Sequence, residues 1–187
     1  DVPLGMSEAI LQGDAHFTVL WTDLQMGVDY TVGSPQYQWF TNDLATTTKP
    51  WKFLFFHHVL QSSGPHQRDD YDRNGILDEI QLQESIGRAA IDYGVDIIFN
   101  GHDHCYDKCA PTGGPLNFTS GGGGAAPYPF FRLQPASVQF HSRYHFLKVQ
   151  ADAEVARVEA IGLDGKAFDV AHVQQDLPER GVYTGEW

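Results

Sequence analysis

Val95-Asp96-Ile97-Ile98-Phe99-Asn100-Gly101-His102-Asp103-His104 is a short apolar run closed by a glycine and by two histidines flanking an aspartate. Val95, Ile97, Ile98 and Phe99 have the composition and length of a buried strand. Gly101 is expected to make the sharp turn at the strand end. His102 and His104 follow at i and i+2 on a segment pinned by that strand. Neutral imidazole is the commonest side-chain ligand of zinc, iron and manganese-type sites, so two rings held here suit a metal centre. An isolated His-x-His also arises by chance on surfaces. The strand and the glycine are what favour ligation.

Upstream, Trp51-Lys52-Phe53-Leu54-Phe55-Phe56-His57-His58 is a second short apolar run ending in histidine. Its aromatic residues favour a strand over a helix. Parallel strands ending at one sheet edge would bring His57 or His58 to the Gly-His-x-His turn, where open α/β sheets bind ligands. One of the two is expected only to pack or to hydrogen-bond.

The intervening segments fit crossover helices. Ser34-Pro35 is a helix start, and Tyr37, Phe40 and Leu44 form one apolar face running to about Thr46-Thr48. A second helix spans about Glu79 to Tyr93, with Leu82, Ile86, Ala89, Ala90 and Tyr93 inward and Gly94 closing it. With a strand over Phe17–Thr22, preceded by a turn at Gly13-Asp14-Ala15-His16, the order is strand, helix, strand, helix, strand. That order implies a parallel sheet. A glycine-rich strand is expected over Asn117–Ala125. Tyr144–Ala151, Val155–Gly162 and Ala167–Gln174 alternate as strands of an antiparallel meander. The fold class is α/β, a parallel βαβαβ unit followed by that meander.

Two further clusters have competing readings. Asp70-Tyr71-Asp72-Arg73-Asn74-Gly75 opens like a calcium loop, with Ile76 offering a carbonyl and Asp78 at the ninth place, but Gln81 replaces the bidentate glutamate of the twelfth. The same residues also read as a polar turn before a helix capped by Asp78, with Gln81 completing a capping box. Cys105 and Cys109, the two cysteines of the chain, read as a small-loop disulfide, as free thiols, or as part of a soft-metal site. The disulfide would go with an extracellular or periplasmic location.

Composition bounds the function. A chain of 187 residues, 42 % hydrophobic, with 12 Phe, 8 Tyr and 4 Trp, supports one domain with a real core. A formal net charge of −12 argues against nucleic acid as a partner. No apolar run approaches membrane-spanning length, so no membrane partner is expected.

Strand-His57-His58, helix, strand-Gly101-His102-Asp103-His104 and the Asn117–Ala125 stretch together resemble the C-terminal half of the calcineurin-like metallophosphoesterases. Order and spacing are most similar to the purple acid phosphatases. The resemblance runs from about Phe17 to Gln174, with its specific motifs between His57 and Gly124. It implies half of an αββα sandwich, with the whole chain, 1–187, one portion of a single domain. It also implies hydrolysis of phosphate esters by two transition-metal ions (Fe, Zn or Mn). His57 and His102 would share one ion and His104 would bind the other. His66 would contact the phosphate or protonate the leaving group, or stand as an ordinary loop residue. His58 would be a supporting residue, and Asp103 would orient a ligand ring or cap backbone amides.

The chain departs from the family pattern where Trp21 takes the place of a strand-end aspartate. The Gly-Asp-x-x-Asp/Tyr and Gly-Asn-His motifs are also absent, and the one Asp-x-His near the start, Asp14-Ala15-His16, belongs to the segment read as a turn. An N-terminal companion chain or segment is therefore expected to supply the carboxylates. The substrate would be a small phosphate ester or a phosphoprotein, and the setting secreted or periplasmic. The rival readings are a non-catalytic metal-binding or regulatory module, a phosphodiesterase of the same superfamily, and a thiol or zinc protein built on the two cysteines.

Overall fold

The computed structural model describes residues 7–175 and 183–185. Its larger sheet has seven strands in the order β1-β2-β3-β4-β6-β5-β7. β2 (Ala15–Leu20), β3 (Trp51–Phe55), β4 (Ile97–Asn100) and β6 (Leu116–Ser120) run parallel, pairing Phe53 with Ile97 and Ile97 with Leu116. β1 (Ser7–Gln12) joins β2 as an antiparallel hairpin through Gly13-Asp14, where Gly13 takes φ 57°. β2 thus begins two residues earlier than the apolar run suggested.

α1 (Pro35–Thr46) starts as read, with the Ser34 hydroxyl accepting the Tyr37 N–H at 3.2 Å. The second helix is built of α2 (Asp78–Leu82), a π turn at Gln83–Gly87 and α3 (Arg88–Asp92). Its cap differs from expectation. Leu77 is the N-cap and makes no side-chain bond, while the Asp78 carboxylate accepts the Tyr71 N–H at 3.2 and 3.3 Å. Gln81 reaches back to the Ile76 carbonyl, so no capping box forms.

β5 (Tyr106–Cys109) and β7 (Ser137–His141) add antiparallel strands beyond β6. The disulfide reading fails here. Four residues of near-extended chain separate Cys105 from Cys109 by roughly 13 Å, about twice the span a disulfide bridges. Both are buried free thiols. Burial and neighbouring carboxylates push both thiols well above their usual range, which also disfavours thiolate ligation. The glycine-rich strand is shorter than expected, because β6 ends at Ser120. A Cβ on Gly121 would overlap the Asp103 carbonyl, and one on Gly122 would overlap the His145 ring. Those glycines serve close approach, not pairing.

The second sheet is the expected meander, β8 (His145–Ala151), β9 (Val155–Gly162) and β10 (Ala167–Gln174), joined by β11 (Tyr183–Gly185) in the order β11-β10-β9-β8. Strand alternation distributes the core. Trp51, Phe53, Ile97, Phe99 and Phe118 meet Ala156, Val158, Ala160, Ala171 and Val173 of the second sheet. On the opposite face Leu54 and Ile98 meet Phe40, Leu44, Leu82, Ile86 and Ala90 of the helices. Helix layer, sheet and sheet are stacked. The C-terminal ends of β3 and β4 are left open at one edge, where the histidines emerge.

Candidate metal centre

His57 and His58 leave the end of β3, and Gly101 to His104 leave the end of β4. The two ends are joined by the Gly101 N–H, which donates to the His57 carbonyl at 3.0 Å. The left-handed residue of the turn is His102, with φ 65°, not Gly101 as the sequence suggested. Histidine enters this region more readily than most side chains, and holding a non-glycine there costs on the order of 1–3 kcal/mol. Surrounding bonds enforce it.

The principal enforcer is Asp103, which is 0 % exposed. Its carboxylate accepts the Ser62 hydroxyl at 2.5 Å and the His66 N–H at 3.1 Å. Of its two expected roles, Asp103 performs the backbone-capping one. It ties the turn to the loop that carries His66. Gly64 lies against it so closely that a Cβ would overlap the carboxylate.

The rings gather around His102. Its Nδ1 lies 3.1 Å from His57 Nε2, and its Nε2 lies 3.0 Å from the Tyr71 hydroxyl and 3.5 Å from Asp69 Oδ2. His66 stands 4.1 Å from it by ring centroid and His58 4.5 Å. His66 Nδ1 meets Asp69 Oδ2 at 2.5 Å. A carboxylate partner makes that nitrogen the protonated one and leaves Nε2 for other use. His58 is buried and bonded to Thr22, with Nδ1 at 3.1 Å from the hydroxyl and its own N–H donating to it at 3.2 Å. It supports the cluster and does not open onto it.

His104 stands aside. Its ring stacks on Tyr128 at 4.1 Å and its Nδ1 lies 3.2 Å from the Ala126 carbonyl. Among the described residues one potential ligand group combines His66, Asp69 and His102, with donor atoms within 4.8 Å of one another, and no such group includes His57 or His104. Asp69 and Tyr71 are therefore site residues that the sequence reading passed over. The available signal was position: Asp69 lies three residues past His66, beyond the single 3-10 turn Pro65–Arg68. Trp21, at the place of the missing strand-end aspartate, exchanges hydrogen bonds with Gln36 and takes no part.

Burial disfavours the charged form of these imidazoles. The His57 ring is pushed below its usual range, chiefly by burial. His58 and His102 fall to about 4, by burial first and then by mutual repulsion among the histidines. Neutral rings are the metal-binding form. Two nitrogens bound tetrahedrally at 2.0–2.1 Å from zinc lie about 3.3 Å apart, and His57 and His102 already stand at that spacing. The residues present fit a transition ion between these two rings.

No protein-family model matches the chain. It is 30 % identical over 127 residues to Probable inactive purple acid phosphatase 24 of Arabidopsis thaliana, a match covering 57 % of this chain and 20 % of the relative. It is 29 % identical over 82 residues to Purple acid phosphatase 17 of the same plant, covering 44 % and 21 %. The chain therefore spans about a fifth of the length of these curated relatives. Among solved structures, purple acid phosphatase PPD1 from yellow lupin (Lupinus luteus) seeds matches 92 % of this chain and 33 % of its own, with a TM-score of 0.80 at 23 % identity. In sequence and in fold the chain is similar to the purple acid phosphatases, over a part of their length.

Proposed function

We propose that this chain, as one portion of a larger metallophosphoesterase domain, supplies the histidine side of a dinuclear centre that hydrolyses phosphate monoesters. The observation that carries the reading is the 3.1 Å approach of His57 Nε2 and His102 Nδ1 at the ends of adjacent parallel strands. An iron, zinc or manganese ion held there supplies Lewis-acid polarisation of a phosphoryl oxygen and an acidified water. His57 and His102 bind and orient. His104 serves the second position together with oxygen donors from an N-terminal companion segment or chain, in a secreted or periplasmic setting. His66, with Nδ1 held by Asp69, offers Nε2 to the leaving oxygen as proton donor.

Phosphomonoesterase assays on the whole protein with an aryl phosphate test this. His102→Ala should abolish turnover and lower the bound metal. His66→Ala should lower kcat by about 10²–10⁴ with metal retained. Unchanged hydrolysis by His102→Ala would overturn the assignment. A non-catalytic metal-binding module is the second reading. It is favoured by the isolation of His104 from the His66-Asp69-His102 group and by similarity to a protein named as probably inactive. That reading predicts metal loss in His102→Ala without any turnover to lose.

A further inference from the structure

Residues 126–134 form neither strand nor helix, yet the segment is tied to the histidine centre at both ends. At one end the Tyr128 N–H donates to the His104 carbonyl at 2.8 Å, and the Ala126 carbonyl meets His104 Nδ1 at 3.2 Å. At the other, the Phe131 and Arg132 N–H groups donate to the Ser63 carbonyl at 2.9 and 3.2 Å. Arg132 Nε also donates at 2.8 Å to Gln67 Oε1, in the turn that carries His66. Pro127 and Pro129 fix φ on either side of Tyr128. A segment so tied and so stiffened holds its middle residue in one place.

The Tyr128 ring stacks on His104, 4.1 Å between centroids and 18° between planes, and lies 5.6 Å from the His66 ring. It is only partly buried, so core packing does not account for it. Its position matters because His66 is the side chain proposed above to protonate the leaving oxygen. A proton donor works within about 2.6–3.2 Å of the oxygen it serves, so the carbon skeleton on that oxygen must pass close to His66. The phenol ring of Tyr128 already stands there as an aromatic surface. Further along the segment Phe131 is 42 % exposed, with the Arg68 guanidinium over its ring at 4.5 Å. Arg68 belongs to the His66 turn, so aromatic surface continues beside the proton donor. Exposed aromatic rings next to polar reactive groups are the composition of a ligand cleft.

We infer that Tyr128 is a specificity-determining residue, a platform on which a flat aromatic alcohol stacks, so that the centre favours aryl phosphate monoesters over alkyl ones. The inference rests on the phosphoesterase reading above, with His66 as its proton donor. Stacked ring pairs gain energy beyond the area they bury, enough for about three- to tenfold in affinity. A platform already held in place loses little freedom when the ligand docks, so the gain is realised in binding. An alkyl ester has no π face to offer and less apolar area to bury. If Tyr128 served only to steady His104, its removal would weaken all phosphate ligands alike.

Calorimetric titration of the whole, zinc-loaded protein with benzylphosphonate and with ethylphosphonate tests this. In both ligands a methylene replaces the ester oxygen, so neither is hydrolysed and leaving-group acidity does not enter the comparison. Wild type should bind benzylphosphonate about three- to tenfold more tightly than ethylphosphonate. Tyr128→Phe keeps the ring and should keep that ratio, whereas Tyr128→Ala should reduce it to about twofold or less. Equal affinities in wild type would overturn the inference and leave the phosphoesterase reading standing. So would a Tyr128→Ala ratio equal to that of wild type, including the case in which both affinities fall together. Binding of neither phosphonate to wild type would overturn the phosphoesterase reading and the inference with it.

Discussion

The Asp103 carboxylate accepts the His66 main-chain N–H at 3.1 Å, so the turn bearing His102 and His104 also sets the position of the His66 loop. Asp103→Ala strips partners from two buried donors, the Ser62 hydroxyl and the His66 N–H. Each orphan costs about 1–3 kcal/mol. Urea unfolding should show a loss in that range or above it. A loss below about 0.5 kcal/mol would mean that the bonds do not hold the loop.

The glycines after β6 differ sharply in what surrounds them. A Cβ on Gly121 would overlap the Asp103 backbone, whereas one on Gly123 meets nothing within 4 Å. Gly121→Ala should therefore destabilise the fold by several kcal/mol, and Gly123→Ala by about 0.5 kcal/mol or less. Equal thermal midpoints for the two variants would contradict the packing described.

Glu79 is buried and accepts amide hydrogens from Gln134 at 2.6 Å and Gln83 at 3.1 Å. Burial pushes its carboxyl up to about 7, against an ordinary 4.5. Between those values the unfolded chain releases the proton and the folded chain keeps it, so stability from this group falls as pH rises. Glu79→Gln keeps an acceptor and removes the titration. Its stability relative to wild type should improve from about pH 5 to about pH 8, by at most about 1.4 kcal/mol per pH unit within the window. A pH-independent difference between the two proteins would refute the shift.

Both thiols are buried and held well above their usual range, so native protein should resist alkylation until unfolded, and reductant should leave its thermal midpoint unchanged. Rapid native labelling of Cys105 or Cys109 would contradict their placement.

The parallel core and the meander were legible because both depend on local pattern: apolar runs of strand length, a Ser34-Pro35 helix start, and period-two alternation in β9. The two strand-end histidine clusters were legible for the same reason. Asp69 and Tyr71 were not, because their approach to His102 depends on the path of a loop that no periodicity fixes. β5 was hidden by its own composition. Tyr106-Asp107-Lys108-Cys109 reads as polar, yet it is buried through partners distant in sequence, with Ser63 and Ser137 donating to Asp107 and Lys108 paired with Asp169. The positive φ fell on His102, not on Gly101, because bonds from Asp103 outweigh intrinsic backbone preference.

The central claim is that His57 and His102 hold a transition ion. Metal content per chain, measured by mass spectrometry on wild type, His57→Ala, His102→Ala and a His172→Ala control, tests it most directly. The account predicts at least one ion per chain in wild type and control, with that ion lost from both His57→Ala and His102→Ala while the fold is retained. Equal metal content in all four proteins would contradict it.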